Sequence, residues 1–425
     1  MIRGRIIHYE ILVSREGRWI IQGVVHETGS GTGEAEAVEA ARLLLATGDC
    51  EEARIVRVRS MITGYSTKAE IFHETKPPVR DKPITVKGTV GRVGPCSTAA
   101  DIRGLESRMI LGRLFRMFLD KHRITTTELL HNWTYLRKLQ DTGSLVNTAT
   151  HQIAAVQAKE LGVPARERVR ALEKLIGEGL SQARDLAGEK RRLPRFDPQA
   201  LDHFSRRVRA REGPERHDFV FTALLCDHLM GFPSIGGKLE AVLGLMTDDL
   251  DPHLSGLLEA VAADALGNAD IIKELLGPQR HLAASLCRLA DLLHGRLDLA
   301  AAGTNPLLTR LGGLLGDGRT PSCRAVLLER LLAELGRNHP LDHKEPEAEG
   351  LLLEEVIHRL RRDGADDMLG GVLAEKAVSA RLLRHRQAIL RRGGMIEAAD
   401  ALARTWSPDI RLLGRRPREG ADTHP

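Results

Sequence analysis

The sequence predicts an α+β protein: a small N-terminal ββαββ module, then a predominantly all-α multi-helix region. Three observations carry that class. Short runs rich in β-branched and aromatic residues cluster before residue 75. One amphipathic segment interrupts them. After Leu105, helix-capping signals and apolar residues at helical spacing alternate almost to the end of the 425 residues.

The elements follow in order. Tyr9–Val13 and Trp19–Val25 flank the polar loop Ser14-Arg-Glu-Gly-Arg18, a hairpin signal. Gly29-Ser-Gly-Thr-Gly33 leads into Glu34–Ala46, where Ala37, Val38, Ala41, Leu44 and Leu45 share one helical face. Two further strands, Ala53–Arg59 and Lys68–His73, complete the unit, and the helix covers one face of the sheet. Trp19 is expected beneath that helix, because tryptophan is mostly buried. On the open face, beside Arg57 and Arg59, it becomes the module's main contact residue.

Residues 76–104 alternate prolines with glycines and read as a linker, with a short strand over Ile84–Val90. Beyond it, Thr125-Thr-Thr-Glu128 is a capping box. Asp197-Pro198, Asp251-Pro252 and Asn305-Pro306 each put a capping residue before proline. Gly162, Gly231 and Gly277 stand where helices should stop. The charged stretch near Leu186–Asp197 is the expected join between two helical parts. The expected organisation is a module over 1–75, a linker over 76–104, helical parts over 105–190 and 191–410, and a disordered tail over 411–425.

Composition excludes some functions. Aromatics are 3% of the chain, too few for an extensive base- or sugar-stacking platform. The net charge of +5 is too small a bias over this length to define a nucleic-acid partner. The five cysteines are scattered and contain no CxxC, which suits a reducing compartment and argues against a cysteine-rich zinc site. No run reaches the roughly 18 apolar residues of a membrane span. A cytoplasmic protein, bacterial in style, is expected.

Candidate chemistry is sparse. Gly29–Gly33 has GxGxG spacing, no following lysine, and Glu34 and Glu36 at the helix start, where they would repel a phosphate; a flexible connector fits better. Gly231-Phe-Pro-Ser-Ile-Gly-Gly-Lys238-Leu239 misses the phosphate-loop spacing and lacks the hydroxyl after lysine, so Ser234 reads as a helix cap. His217-Asp218 is the metal-ligand dipeptide of HD-type phosphohydrolases, with His203 and Asp227 or Asp264 as further ligands. The other histidines lack a firm metal spacing, and no nucleophilic triad is visible. From Arg381 to Arg418, ten arginines face three acids, and Arg381, Arg384 and Arg392 share a helical face.

The pattern "YEILV…GRW…EAVEAARLLL…ARIVRV…KAEIF" resembles the N-terminal module of a group of uncharacterised bacterial proteins in which a hairpin-helix-hairpin unit precedes a long helical region. The inserted GSGTG departs from it. The resemblance implies a fold and a regulatory or adaptor setting, with no activity to carry over.

Three functional expectations follow. The first is a non-enzymatic interaction or regulatory adaptor that binds protein partners and is open to homo-oligomerisation, with Trp19, Arg57 and Arg59 as contact candidates and no cofactor. The second is a metal-dependent HD-like phosphohydrolase using His203, His217, Asp218 and Asp264. The third is weak binding of nucleic acid or an acidic membrane through Arg381, Arg384 and Arg392.

Overall fold

Period-two alternation in the first strand decides which way the small sheet faces. In the computed structural model, strand β1 (Arg5–Arg15) turns Tyr9, Ile11 and Val13 inward. They meet Ala37, Ala41 and Leu45, spaced four apart along helix α1 (Gly33–Thr47). Strands β2 (Arg18–His26), β3 (Glu52–Met61) and β4 (Ser66–Thr75) complete an antiparallel sheet in the order β2-β1-β3-β4. Ala53 and Ile55 of β3 fill the rest of this core. The expected ββαββ unit is present, and each strand runs longer than its apolar run.

The structure describes residues 5–15, 18–28, 31–47, 50, 52–61, 66–75, 84–86, 90–91, 93–299, 305–344, 348–361 and 367–406. The chain divides into two compact units, residues 1–83 and 84–425. Within the proline- and glycine-rich stretch, residues 84–86 and 90 form no strand, and the middle of the expected Ile84–Val90 strand lies outside the described residues. Val93 and Cys96 are buried against helices of the second unit, and a short helix, Ala99–Ile102, opens there on a Thr98–Asp101 capping box. The tail expected to be disordered also lies outside the described residues.

The second unit is helical wherever it has regular structure, one short bridge at Arg361 and Met368 apart, among the described residues. The capping signals act as read. Thr125 accepts from the Glu128 amide while Glu128 reaches back to the Thr125 amide. Ser234, Asp251 and Asn305 each cap the helix that follows them. Gly162 ends its helix in the left-handed region, at φ 67°. Asp197 differs: its carboxylate accepts from the Gln199 amide in a turn, and the helix starts only at Leu201. That helix, Leu201–Leu229, is broken at Gly213 (φ 77°), just before Pro214, whose missing N–H cannot continue the ladder.

Buried ion pairs tie distant helices together. Lys238 Nζ donates to Glu128 Oε1 at 2.7 Å and to the Arg123 carbonyl. Arg108 Nε lies 3.0 and 3.1 Å from the two Asp264 oxygens, and the Thr127 amide and hydroxyl donate to the same carboxylate. No helix among the described residues is long and apolar enough to cross a membrane.

Candidate functional site

The side on which Trp19 lies is set by one residue. In an unbroken β2, Trp19, Ile21, Gly23 and Val25 would share a face, and Val25 stands opposite Tyr9 on the helix side. A bulge leaves Gln22 unpaired between Gly23, opposite Ile11, and Ile21, opposite Leu12. One extra residue swaps the faces of everything beyond it. Trp19 therefore stands opposite Ser14 on the open face, away from α1 and not beneath it.

Its neighbours there are Arg54 and His73. The Arg54 guanidinium lies 4.2 Å from the Trp19 ring centroid, and His73 meets the ring edge-on at 6.0 Å. Arg54 also approaches Glu70 at 3.8 Å, and His73 bonds Glu52 at 3.1 Å. Arg57 and Arg59 do not join this group. They share the helix side with Ile55, and Arg57 Nη1 lies 3.8 Å from Glu34 of α1. The aromatic–arginine surface is thus built on Arg54, which the sequence reading passed over.

The two sheet edges differ. On β2, Ile20, Ile21 and Val24 are 48%, 54% and 47% exposed. On β4, the exposed run is Ser66-Thr-Lys-Ala-Glu70, and Lys68 pairs with Glu10 at 2.9 Å. Charge on an edge strand deters pairing with another chain, whereas a flat apolar edge invites it.

The glycine-rich stretch is a packed helix start where it is described. A Cβ on Gly33 would sit 3.0 Å from the Tyr9 ring and 3.1 Å from the Glu27 backbone. Glu27 accepts from the Tyr9 hydroxyl at 2.6 Å and from the Gly33 amide at 3.4 Å. A carboxylate of the chain itself therefore occupies the helix N-terminus where a phosphate would sit.

Of the four residues expected to hold a metal, two meet. His217 Nδ1 and Asp218 Oδ1 are 2.7 Å apart, and His253 Nε2 reaches the same oxygen at 2.7 Å. The three ligand atoms lie within 4.8 Å of one another. His217 is fully buried, with Nε2 on the Ser205 hydroxyl at 2.8 Å; Asp218 and His253 are exposed. Burial raises the Asp218 carboxyl, but hydrogen bonds from His217 and His253 outweigh it and hold the group below its ordinary range. His203 is exposed on the surface, and Asp264 is bound to Arg108 and Thr127. His253 was not foreseen: the Asp251 cap fixes its place in the chain, but its contact spans 35 residues.

The basic C-terminal helix, Gly371–Arg392, spends its charge internally. Arg381 is 3% exposed, pairs with Glu349 at 2.8 Å and donates to the carbonyls of Leu335 and Arg337. Arg384 bonds the Gly336 and Arg337 carbonyls, and Arg392 Nε its own helix at Ala388. Arg391 pairs with Asp400. The expected free basic face is in part a set of struts.

No protein-family model, curated protein or solved structure matches this chain.

Proposed function

We propose that the chain is a non-enzymatic cytoplasmic adaptor whose N-terminal module docks a protein partner on the β2 edge and the adjoining open face. The carrying observation is the contrast between the edges, apolar and exposed on β2, charged on β4. A partner strand pairing with β2 would take main-chain hydrogen bonds from the edge and bury Ile21 and Val24. Trp19 stacked with Arg54 supplies the kind of anchor that concentrates binding energy at interfaces. The test is capture from native extract by the full chain, compared with an Ile21→Lys/Val24→Lys variant of unchanged circular dichroism. A partner retained by the wild type and lost by the variant supports the proposal; undiminished capture by the variant overturns it. Recovery of a second copy of this chain alone would replace the partner with self-association.

A second reading rests on His217, Asp218 and His253. Two imidazoles and a carboxylate suit a divalent transition metal, and the Ser205 bond is the kind of support that orients a ligand imidazole. On this reading the chain is a metal-dependent phosphohydrolase: His217, Asp218 and His253 would hold the ion, which would supply an activated water. It requires one equivalent of Zn²⁺ or Mn²⁺ bound to chelator-stripped protein and lost in His253→Ala. Elemental analysis showing no uptake removes it.

A further inference from the structure

The helical unit holds a partly open apolar cavity of about 120 Å³, walled by side chains such as Phe115, Leu136 and Leu175. A shallower pocket beside it shares Gln140, Thr150 and Leu180 with it. Among the described residues lining the cavity, Arg103 alone is charged. Its guanidinium is held by neutral groups: Nη1 donates to Gln182 Oε1 at 3.0 Å, and the group stacks on the Phe219 ring at 4.8 Å. No carboxylate among the described residues forms an ion pair with it, and burial lowers its pKa. A half-buried cation at an apolar cavity, without an anionic partner, matches an anion delivered by a ligand.

The helix Ala165–Glu189 forms part of both walls. Gly177 and Gly179 stand in its interior, where glycine costs about 1 kcal/mol against alanine. Neither is there for close packing: a Cβ on either would meet no atom within 4 Å. The space beside Gly179 is the cavity, and the space beside Gly177 is the shallower pocket. Both positions therefore present bare backbone to that space.

We infer that this cavity binds a small monocarboxylate with a compact apolar body, its carboxylate on Arg103. The size class follows from the volume: an apolar cavity of about 150 Å³ takes up benzene, so a chain of about six carbons is enough to fill this one. The site lies in the helical unit and is independent of the partner surface proposed for the sheet.

The test is calorimetric titration of the full chain with hexanoate and, as the uncharged counterpart, hexan-1-ol. Hexanoate should bind one to one, at least tenfold tighter than the alcohol. Arg103→Gln should lower hexanoate to the alcohol's affinity and leave the alcohol unchanged. Gly179→Leu should abolish both, and Ala149→Leu, which fills the cavity from another helix, does the same if the first variant fails to fold. Absence of saturable hexanoate binding at millimolar concentration overturns the inference. So does equal affinity for acid and alcohol, or an Arg103→Gln variant that keeps the preference.

Discussion

Replacing Lys238 with methionine should remove a large part of the helical unit's stability. The side chain is 2% exposed, and its ammonium sits 2.7 Å from the fully buried Glu128. At that distance, with an effective dielectric near 20, the attraction is about 6 kcal/mol. Desolvation offsets part of it in the native protein, so the pair itself is worth less. Loss of one partner is a different matter, because it strands the other as a buried charge, at about 3–5 kcal/mol. Glu128 would keep its bond from the Thr125 amide, which does not neutralise it. We expect about 4 kcal/mol. With a urea slope near 3 kcal/mol/M for a unit of this size, the midpoint of the 222 nm transition should fall by about 1.3 M. Lys238→Met combined with Glu128→Gln should cost less than the sum of the single changes, by about 2 kcal/mol or more, since neither charge is then stranded. A single-variant cost below about 1 kcal/mol, or strict additivity, would refute the pairing. The same lysine follows the glycine pair that mimics a phosphate loop, and its bond to Glu128 leaves it no phosphate role.

Other consequences can be measured. Burial drives His131 down from 6.5 to about 3, and its Nδ1 bonds the Thr127 carbonyl at 2.8 Å. The fold holds it neutral, so its contribution is whole above pH 6.5 and is lost as pH falls towards 3. Between pH 6.5 and 5 that is about 2 kcal/mol, and His131→Gln should flatten the urea midpoint over this window. Arg381→Lys should cost more than about 2 kcal/mol by urea unfolding, because one ammonium cannot serve Glu349 and several carbonyls as the planar guanidinium does. Gly177→Ala should raise stability by about 1 kcal/mol, since helix propensity improves and the new methyl meets no atom; a destabilised variant in urea unfolding would contradict this.

The parts legible in the sequence were those governed by neighbours in the chain. Alternation in Tyr9–Val13 and the four-residue spacing of Ala37, Ala41 and Leu45 placed the sheet and its helix. Thr125 and Glu128, three apart, announced their capping box. Contacts across long separations were silent: nothing near Lys238 names Glu128, 110 residues away, and nothing near His217 names His253. Arg381 read as surface charge because its partners are largely backbone carbonyls, which carry no sequence mark. Trp19 shows the sharpest limit. Alternation alone puts it under α1, and the bulge at Gln22 sends it to the other face; its one mark in the sequence is the adjacent strand glycine, Gly23.

The partner surface is most directly tested by site-specific photo-crosslinking of the full chain in its native cell. A photoreactive amino acid is placed at Ile21 or Val24 on β2, and at Thr67 on the opposite edge as the reference. The account predicts a covalent adduct to one protein partner from positions 21 and 24 and none from 67. Adducts from 67 alone, or no adduct from the β2 positions, would contradict it.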